Sequence, residues 1–61
     1  LMIAKDDVNI REKPSPNSSI IGVLLKDSTI NVEDTVQGWY KVTMKDKKEG
    51  YIYSPMLKER N

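Results

Sequence analysis

The sequence predicts an all-β domain, a small barrel of five to six short antiparallel strands with one 3₁₀ turn near its C-terminus. Two segments carry this prediction. Residues 39–44 and 50–53 both alternate large apolar with polar residues, which is the period of two that a β-strand requires. Each segment starts at or directly after a glycine, as is typical where a tight turn ends. With 61 residues, the chain has room for one domain and a small core.

The N-terminal half of the chain predicts two strands separated by a long loop. Residues 8–11 alternate apolar and polar side chains and form the first strand. Residues 13–19 contain two prolines and three serines, which disfavour strand pairing and indicate an ordered loop. Residues 20–25 are apolar on both faces, but their β-branched side chains favour a strand over a helix. Gly22 permits a bulge or a close backbone approach within that strand.

The C-terminal half predicts the remaining strands, with turns at residues 26–28, 34–38 and 46–49. The strand over residues 29–33 alternates cleanly and directs Ile30 and Val32 inward. After the strand over residues 50–53, whose inward residue is Ile52, the segment 54–57 predicts one turn of 3₁₀ helix. A short terminal strand over residues 57–59 completes the domain.

The domain is expected to cover residues 7–59, with a flexible flank at 1–6 and a tail at 60–61. The opening Leu1-Met2-Ile3-Ala4 is too short for the apolar region of a signal peptide and has no basic residues before it. A natural chain seldom begins Leu-Met. We therefore expect an excised domain whose parent protein carries the export signal and any catalytic domain.

The charge balance argues against a nucleic-acid partner. The chain has ten basic and nine acidic side chains, a net charge of +1, whereas phosphate neutralisation needs a clearly basic face. Lys45, Lys47 and Lys48 are interrupted by Asp46 and Glu49, which indicates a solvated turn. No run of about eighteen apolar residues is present, so we expect no membrane insertion.

The residue content also argues against catalysis and against a cofactor or metal. The chain has no histidine and no cysteine, which removes the commonest general base, the thiol nucleophile and the usual transition-metal ligands. The acidic pairs Asp6-Asp7 and Asp46/Glu49 fall at an expected frayed end and in an exposed turn, without the desolvated cleft that acid catalysis needs. No loop-spaced set of oxygen ligands follows Asp6, Asp7 and Asn9, so calcium is not expected.

Five motifs in order resemble the bacterial Src homology 3 (SH3)-like domain. The family pattern has a hydrophobic-Asn-hydrophobic-Arg opening, a proline-bearing loop, an Ile-Gly strand, a Gly-Trp-Tyr-Lys-Val strand and a Gly-aromatic-Ile ending. The matching residues are Val8-Asn9-Ile10-Arg11 with Pro14, Ile20-Ile21-Gly22 with Leu24, Gly38-Trp39-Tyr40-Lys41-Val42, and Gly50-Tyr51-Ile52 with Ser54. The resemblance runs from about Val8 to Leu57. Asp27 stands where this family commonly has glycine, but aspartate tolerates positive φ.

The resemblance implies a binding module of the bacterial cell surface. Such domains are usually appended to cell-wall hydrolases or surface proteins, where they are thought to target wall peptide or glycan. We therefore expect a non-catalytic, monomeric, extracellular module that is associated with the cell wall and binds peptidoglycan. The alternative is a protein-protein interaction or structural domain of a surface protein.

The candidate ligand residues follow from the alternation in the two aromatic strands. If Tyr40 and Val42 face the core, Trp39 projects to solvent, and Tyr51 and Tyr53 lie on the same outer face. Aromatic faces stack on sugar rings and on flexible peptides, and an arginine can bind a carboxylate through two hydrogen bonds. The predicted ligand-binding residues are Trp39, Tyr51, Tyr53, Asn9, Arg11 and Met56.

Each candidate also has a structural interpretation. Trp39 can serve as a lid over the barrel end, with Tyr51 packed against it across the strands. Asn9 and Arg11 can bond the backbone of the proline loop, and Met56 can fill a gap in the packing. In the eukaryotic relatives that bind proline-rich peptides, the first long loop supplies tyrosines to the groove. Residues 12–19 contain no aromatic side chain here, which argues against that ligand.

Overall fold

Strands account for nearly all the regular structure in the computed structural model, which describes residues 1–59. The elements are β1 (Met2–Ala4), β2 (Val8–Arg11), β3 (Ile20–Leu24), β4 (Thr29–Val36), β5 (Trp39–Thr43), β6 (Glu49–Tyr53), a 3₁₀ turn (Ser54–Met56) and β7 (Leu57–Glu59). The predicted all-β class and the 3₁₀ turn are confirmed. The structure has seven strands, one more than the upper expectation of six, and β1 is the additional strand. No helix within residues 1–59 is long and apolar enough to cross a membrane.

The strands form one antiparallel sheet in the order β3-β2-β6-β5-β4-β1-β7. Its buried aliphatic side chains meet in a single cluster, although they come from every strand except β3. The members are Ala4, Val8, Ile10, Ile30, Val42, Ile52 and Leu57. A flat sheet would spread these side chains over its length. Because β2 and β7 share one core, the sheet curls around it as a barrel wall does.

The N-terminal flank, expected to be flexible over residues 1–6, contains a strand instead. Met2–Ala4 forms β1, which pairs with both β4 and β7. Ala4 is fully buried, and its backbone N–H donates to the carbonyl of Ser28 at 3.0 Å. A three-residue strand with neighbours on both sides has its backbone groups satisfied, so this segment is part of the sheet. The expected tail at residues 60–61 lies outside the described residues.

The strand β4 is longer than its sequence pattern indicates. Residues 34–38 were expected to be a turn, but β4 continues to Val36, and only Gln37 and Gly38 make the turn, at φ 49° and 83°. The pairing with β5 shifts register between Val32 and Asp34. Because such a bulge breaks the period of two, the alternation stops before the strand does. The turn at residues 26–28 is as predicted, with Asp27 at φ 68°.

Candidate ligand groove

A groove of about 510 Å³ lies against the outer faces of β2, β5 and β6. We call it the aromatic groove. It is lined by Asp7, Val8, Asn9, Arg11, Pro16, Trp39, Tyr53 and Met56. The structure thus brings together five of the six predicted ligand residues, all except Tyr51.

Two aromatic rings form the central surface of the groove. Trp39 on β5 and Tyr53 on β6 are directly opposed across the strands. Their ring centroids are 5.3 Å apart and their planes are tilted by 57°, within the range of favourable aromatic pairs. Tyr53 is 52% exposed, so the pair offers one ring that water, and therefore a ligand, can reach.

The expectation that Trp39 projects to solvent is wrong in one respect. Its strand does alternate as predicted, because Val42 belongs to the core and Tyr40 packs against the core, which leaves Trp39 on the opposite face. Trp39 is nevertheless only 9% exposed, and Tyr40 is half-buried rather than enclosed. Trp39 shares the groove with Pro16 of the long loop and Met56 of the 3₁₀ turn. It therefore lies at the floor of the groove, and Tyr53 forms its exposed wall.

Arg11 joins the groove to the proline loop. Its Nη1 donates a hydrogen bond of 2.8 Å to the carbonyl of Ser18, which agrees with the structural interpretation of this side chain. The Ser18 hydroxyl lies 2.9 Å from the carbonyl oxygens of both Lys13 and Ser15 and can donate to either. These bonds hold the loop that carries Pro16 against β2. The groove is therefore shaped before any ligand arrives.

Asp7, Val8 and Pro16 line the groove but were not among the predicted ligand residues. Asp7 was expected at a frayed end, yet its Oδ1 accepts the backbone N–H of Lys26 at 2.9 Å, which anchors it. A sequence signal for Asp7 was present. Residues 7, 9 and 11 have the spacing of one strand face, so the alternation that selects Asn9 and Arg11 extends to Asp7 as well.

Tyr51 occupies a different part of the same face. It is paired with Arg11 on one side and with Lys41 on the other. Lys41 Nζ lies 3.1 Å from Glu49 Oε2. The hydrogen bond and charge of Glu49 raise the pKa of Lys41, while the hydrogen bond from Lys41 and its charge lower the pKa of Glu49. Tyr51 thus lies between the groove residue Arg11 and the Lys41–Glu49 ion pair, and does not itself line the aromatic groove.

Few ionisable side chains line the groove. Its ionisable side chains are one carboxylate, Asp7, one guanidinium, Arg11, and the phenol of Tyr53. Across residues 1–59, no three His, Cys, Asp or Glu side chains are grouped closely enough to hold a metal ion. The side chains of the groove can provide aromatic stacking, hydrogen bonds and one charge of each sign.

A small all-β barrel with a groove lined by aromatic side chains is an architecture typical of binding domains. Comparison with family models identifies the particular family of binding domains. Residues 6–58 match the bacterial SH3 domain, and the chain belongs to that family. This family commonly acts in binding and is generally non-catalytic. A search of curated proteins found no match.

Proposed function

We propose that this bacterial SH3 domain binds peptidoglycan and directs a larger surface protein or cell-wall hydrolase to the wall. The ligand, a stem or cross-bridge peptide or a glycan segment, lies in the aromatic groove. The domain then acts outside the cell, associated with the wall. By holding its parent protein on a polymer, it raises the local concentration of the attached activity, for which a weak single site is sufficient.

The observation that carries this proposal is the pairing of a buried and an exposed ring in one groove. Trp39 is fixed at the floor, and half of Tyr53 remains available for stacking on the apolar face of a sugar or on a flexible backbone. Asp7 and Arg11 supply opposite charges to the same groove. Wall peptides carry amide groups and carboxylates along an extended chain, and these suit a groove with mixed polarity.

Co-sedimentation with purified peptidoglycan tests the proposal. We expect the wild-type domain to sediment with the wall material and Tyr53→Ala to bind about tenfold more weakly, as for loss of an interface anchor of about 1.4 kcal/mol. Tyr53 is half-exposed, so this variant should keep its fold, which far-UV circular dichroism checks. Trp39→Ala is a poorer probe because that ring is largely buried.

Tyr51→Ala is the matched control. It removes the same side chain from the same strand and the same face, but outside the groove, and should leave sedimentation close to wild type. Failure of the wild-type domain to sediment, or equal losses in the two tyrosine variants, would contradict binding of the wall in this groove. Capture of a defined surface protein in place of wall material would support the interaction-domain alternative.

A further inference from the structure

The edge strand β3 exposes far more apolar surface than the rest of the sheet. It pairs only with β2, so its second edge has no strand partner among residues 1–59. Four large aliphatic side chains in and directly after this strand are 41–60% exposed: Ile20, Ile21, Val23 and Leu25. We call them the β3 patch. Exposed apolar residues grouped in one edge strand are typical of interaction surfaces in soluble domains.

The β3 patch lies beside a second groove of about 1090 Å³, which Val23 and Leu25 line together with the core residues Ile10 and Ile30. This groove shares no lining residue with the aromatic groove. The apolar surface at β3 therefore continues toward the barrel interior, at a site separate from the proposed ligand site. An inference about it does not depend on the proposed function.

The edge also lacks the usual protection against strand pairing. Natural edge strands are guarded by charged side chains, prolines or bulges. Residues 18–25 contain no charged residue and no proline. The one guarding feature in β3 is the register shift opposite Ile10 and Arg11, near its N-terminal end.

We propose that the β3 patch binds a second copy of this chain, through antiparallel approach of the two β3 edges about a two-fold axis. In that arrangement the start of one strand lies beside the end of the other. The residues before β3, Asn17-Ser18-Ser19, are uncharged, whereas Lys26 and Asp27 follow it. Each charged flank of β3 thus lies opposite an uncharged flank of the other copy. A net charge of +1 also leaves little long-range repulsion between copies.

The size of the patch sets the strength of the dimer. Four half-exposed aliphatic side chains offer on the order of 400 Å² per copy, against about 800 Å² per partner in a stable interface. The dimer is therefore weak and forms at high protein concentration. In this monomer–dimer equilibrium, the monomer expected from the sequence is the species that predominates at low protein concentration.

Sedimentation equilibrium of the 61-residue chain, from about 10 µM to about 1 mM, tests the dimer. We expect the average mass to rise toward twice that of the monomer. Val23→Lys should remain monomeric throughout, because it places a charge at the centre of each edge. Val23 is 55% exposed, so the variant should fold, which far-UV circular dichroism verifies.

The matched control is Thr35→Lys, which adds the same charge at an exposed position of β4 that lies outside the groove beside β3. It should dimerise as the wild type does. Concentration-dependent amide shifts should be confined to residues 20–25 and their immediate neighbours. A wild-type chain that stays monomeric at the highest concentration, undiminished dimerisation of Val23→Lys, or shifts that map to another face would each overturn the proposal.

Discussion

At the scale of single residues, Trp39 shows that two different features determine which face of the sheet a side chain lies on and how exposed that side chain is. Alternation along β5 determines the face, and it correctly directs Trp39 away from the core. Exposure depends on distant segments, and Pro16 and Met56 line the same groove as Trp39 although neither is near it in sequence. A ring already fixed by its neighbours loses little conformational entropy when a ligand stacks next to it.

Gly50 gives a first prediction, because the space for a side chain there is already filled. A Cβ atom at this position would collide with Cγ2 of Ile10 and lie 3.2 Å from both the Arg11 carbonyl oxygen and Ile21 Cδ1. Ile10 is a buried core residue whose branched side chain cannot move aside easily. We expect Gly50→Ala to lower the free energy of unfolding by about 1–3 kcal/mol in urea denaturation.

Gly22→Ala is the control for that measurement. The nearest atom to a Cβ at Gly22 is Met44 Sδ at 3.5 Å, an ordinary contact with a flexible side chain. Its free energy of unfolding should stay within about 0.5 kcal/mol of wild type. Equal effects of the two substitutions would show that close packing at Gly50 is not what excludes a side chain there.

The Lys41–Glu49 ion pair gives a prediction about pH. The pKa of Glu49 is lowered in the folded state, so the pair stabilises fully above the ordinary value of 4.5 and loses that effect as pH falls through the lowered pKa. The pKa of Lys41 is raised above 10.5, so its contribution is present below that value and is lost as pH rises through the raised pKa. The pair therefore acts across the whole neutral range.

Replacing the cation tests this coupling directly. Lys41→Met should raise the pKa of Glu49 toward 4.5, measured by following its side-chain carbonyl carbon by NMR from about pH 2 to pH 7. Lys48→Met serves as the comparison, since Lys48 lies 3.9 Å from Asp46 and forms no ion pair with Glu49. An unchanged Glu49 titration in Lys41→Met would mean that the ion pair does not persist in solution.

At the scale of elements, β1 supports the C-terminal strand. Among residues 1–59, β7 has β1 as its only neighbour in the sheet, with Ala4 opposite Leu57. Deleting residues 1–4 should therefore leave the amides of β7 unprotected in hydrogen exchange and expose part of the core at Leu57. Deleting Leu1 alone, which is 62% exposed and precedes β1, should change neither. Persistent protection of β7 without β1 would contradict this role.

The same elements show what the sequence could and could not predict. β2, β3, β5 and β6 were recognisable because apolar runs are bounded there by prolines, glycines and charged turns. β1 was missed because three residues are too few to show a period, and its pairing depends on strands far away in the chain. The end of β4 was misplaced because its bulge interrupts the alternation. On the predicted strands, the groove residues Asn9, Arg11, Trp39 and Tyr53 were found. Val8 was missed because alternation assigns it to the core face, and Pro16 was missed because its position depends on how the long loop folds back.

At the scale of the whole molecule, one small core supports two separate surfaces. The aromatic groove lies over β2, β5 and β6, and the β3 patch lies at the sheet edge. No cysteine is available to stabilise either one independently. Val42 and Ile52, the largest fully buried side chains, belong to the strands that also carry Trp39 and Tyr53. Unfolding of the core must therefore also unfold the strands that form the aromatic groove.

This dependence predicts a single cooperative unfolding transition. Trp39 is the only tryptophan, so its fluorescence reports the groove, while far-UV circular dichroism reports the sheet. In urea, the two signals should follow one curve with a shared midpoint and a slope on the order of 1 kcal/mol/M, as two-state unfolding of a small domain requires. Tyr53→Ala should shift both curves equally. A fluorescence transition at lower urea than the dichroism transition would show that the groove melts independently and is not held in shape by the core.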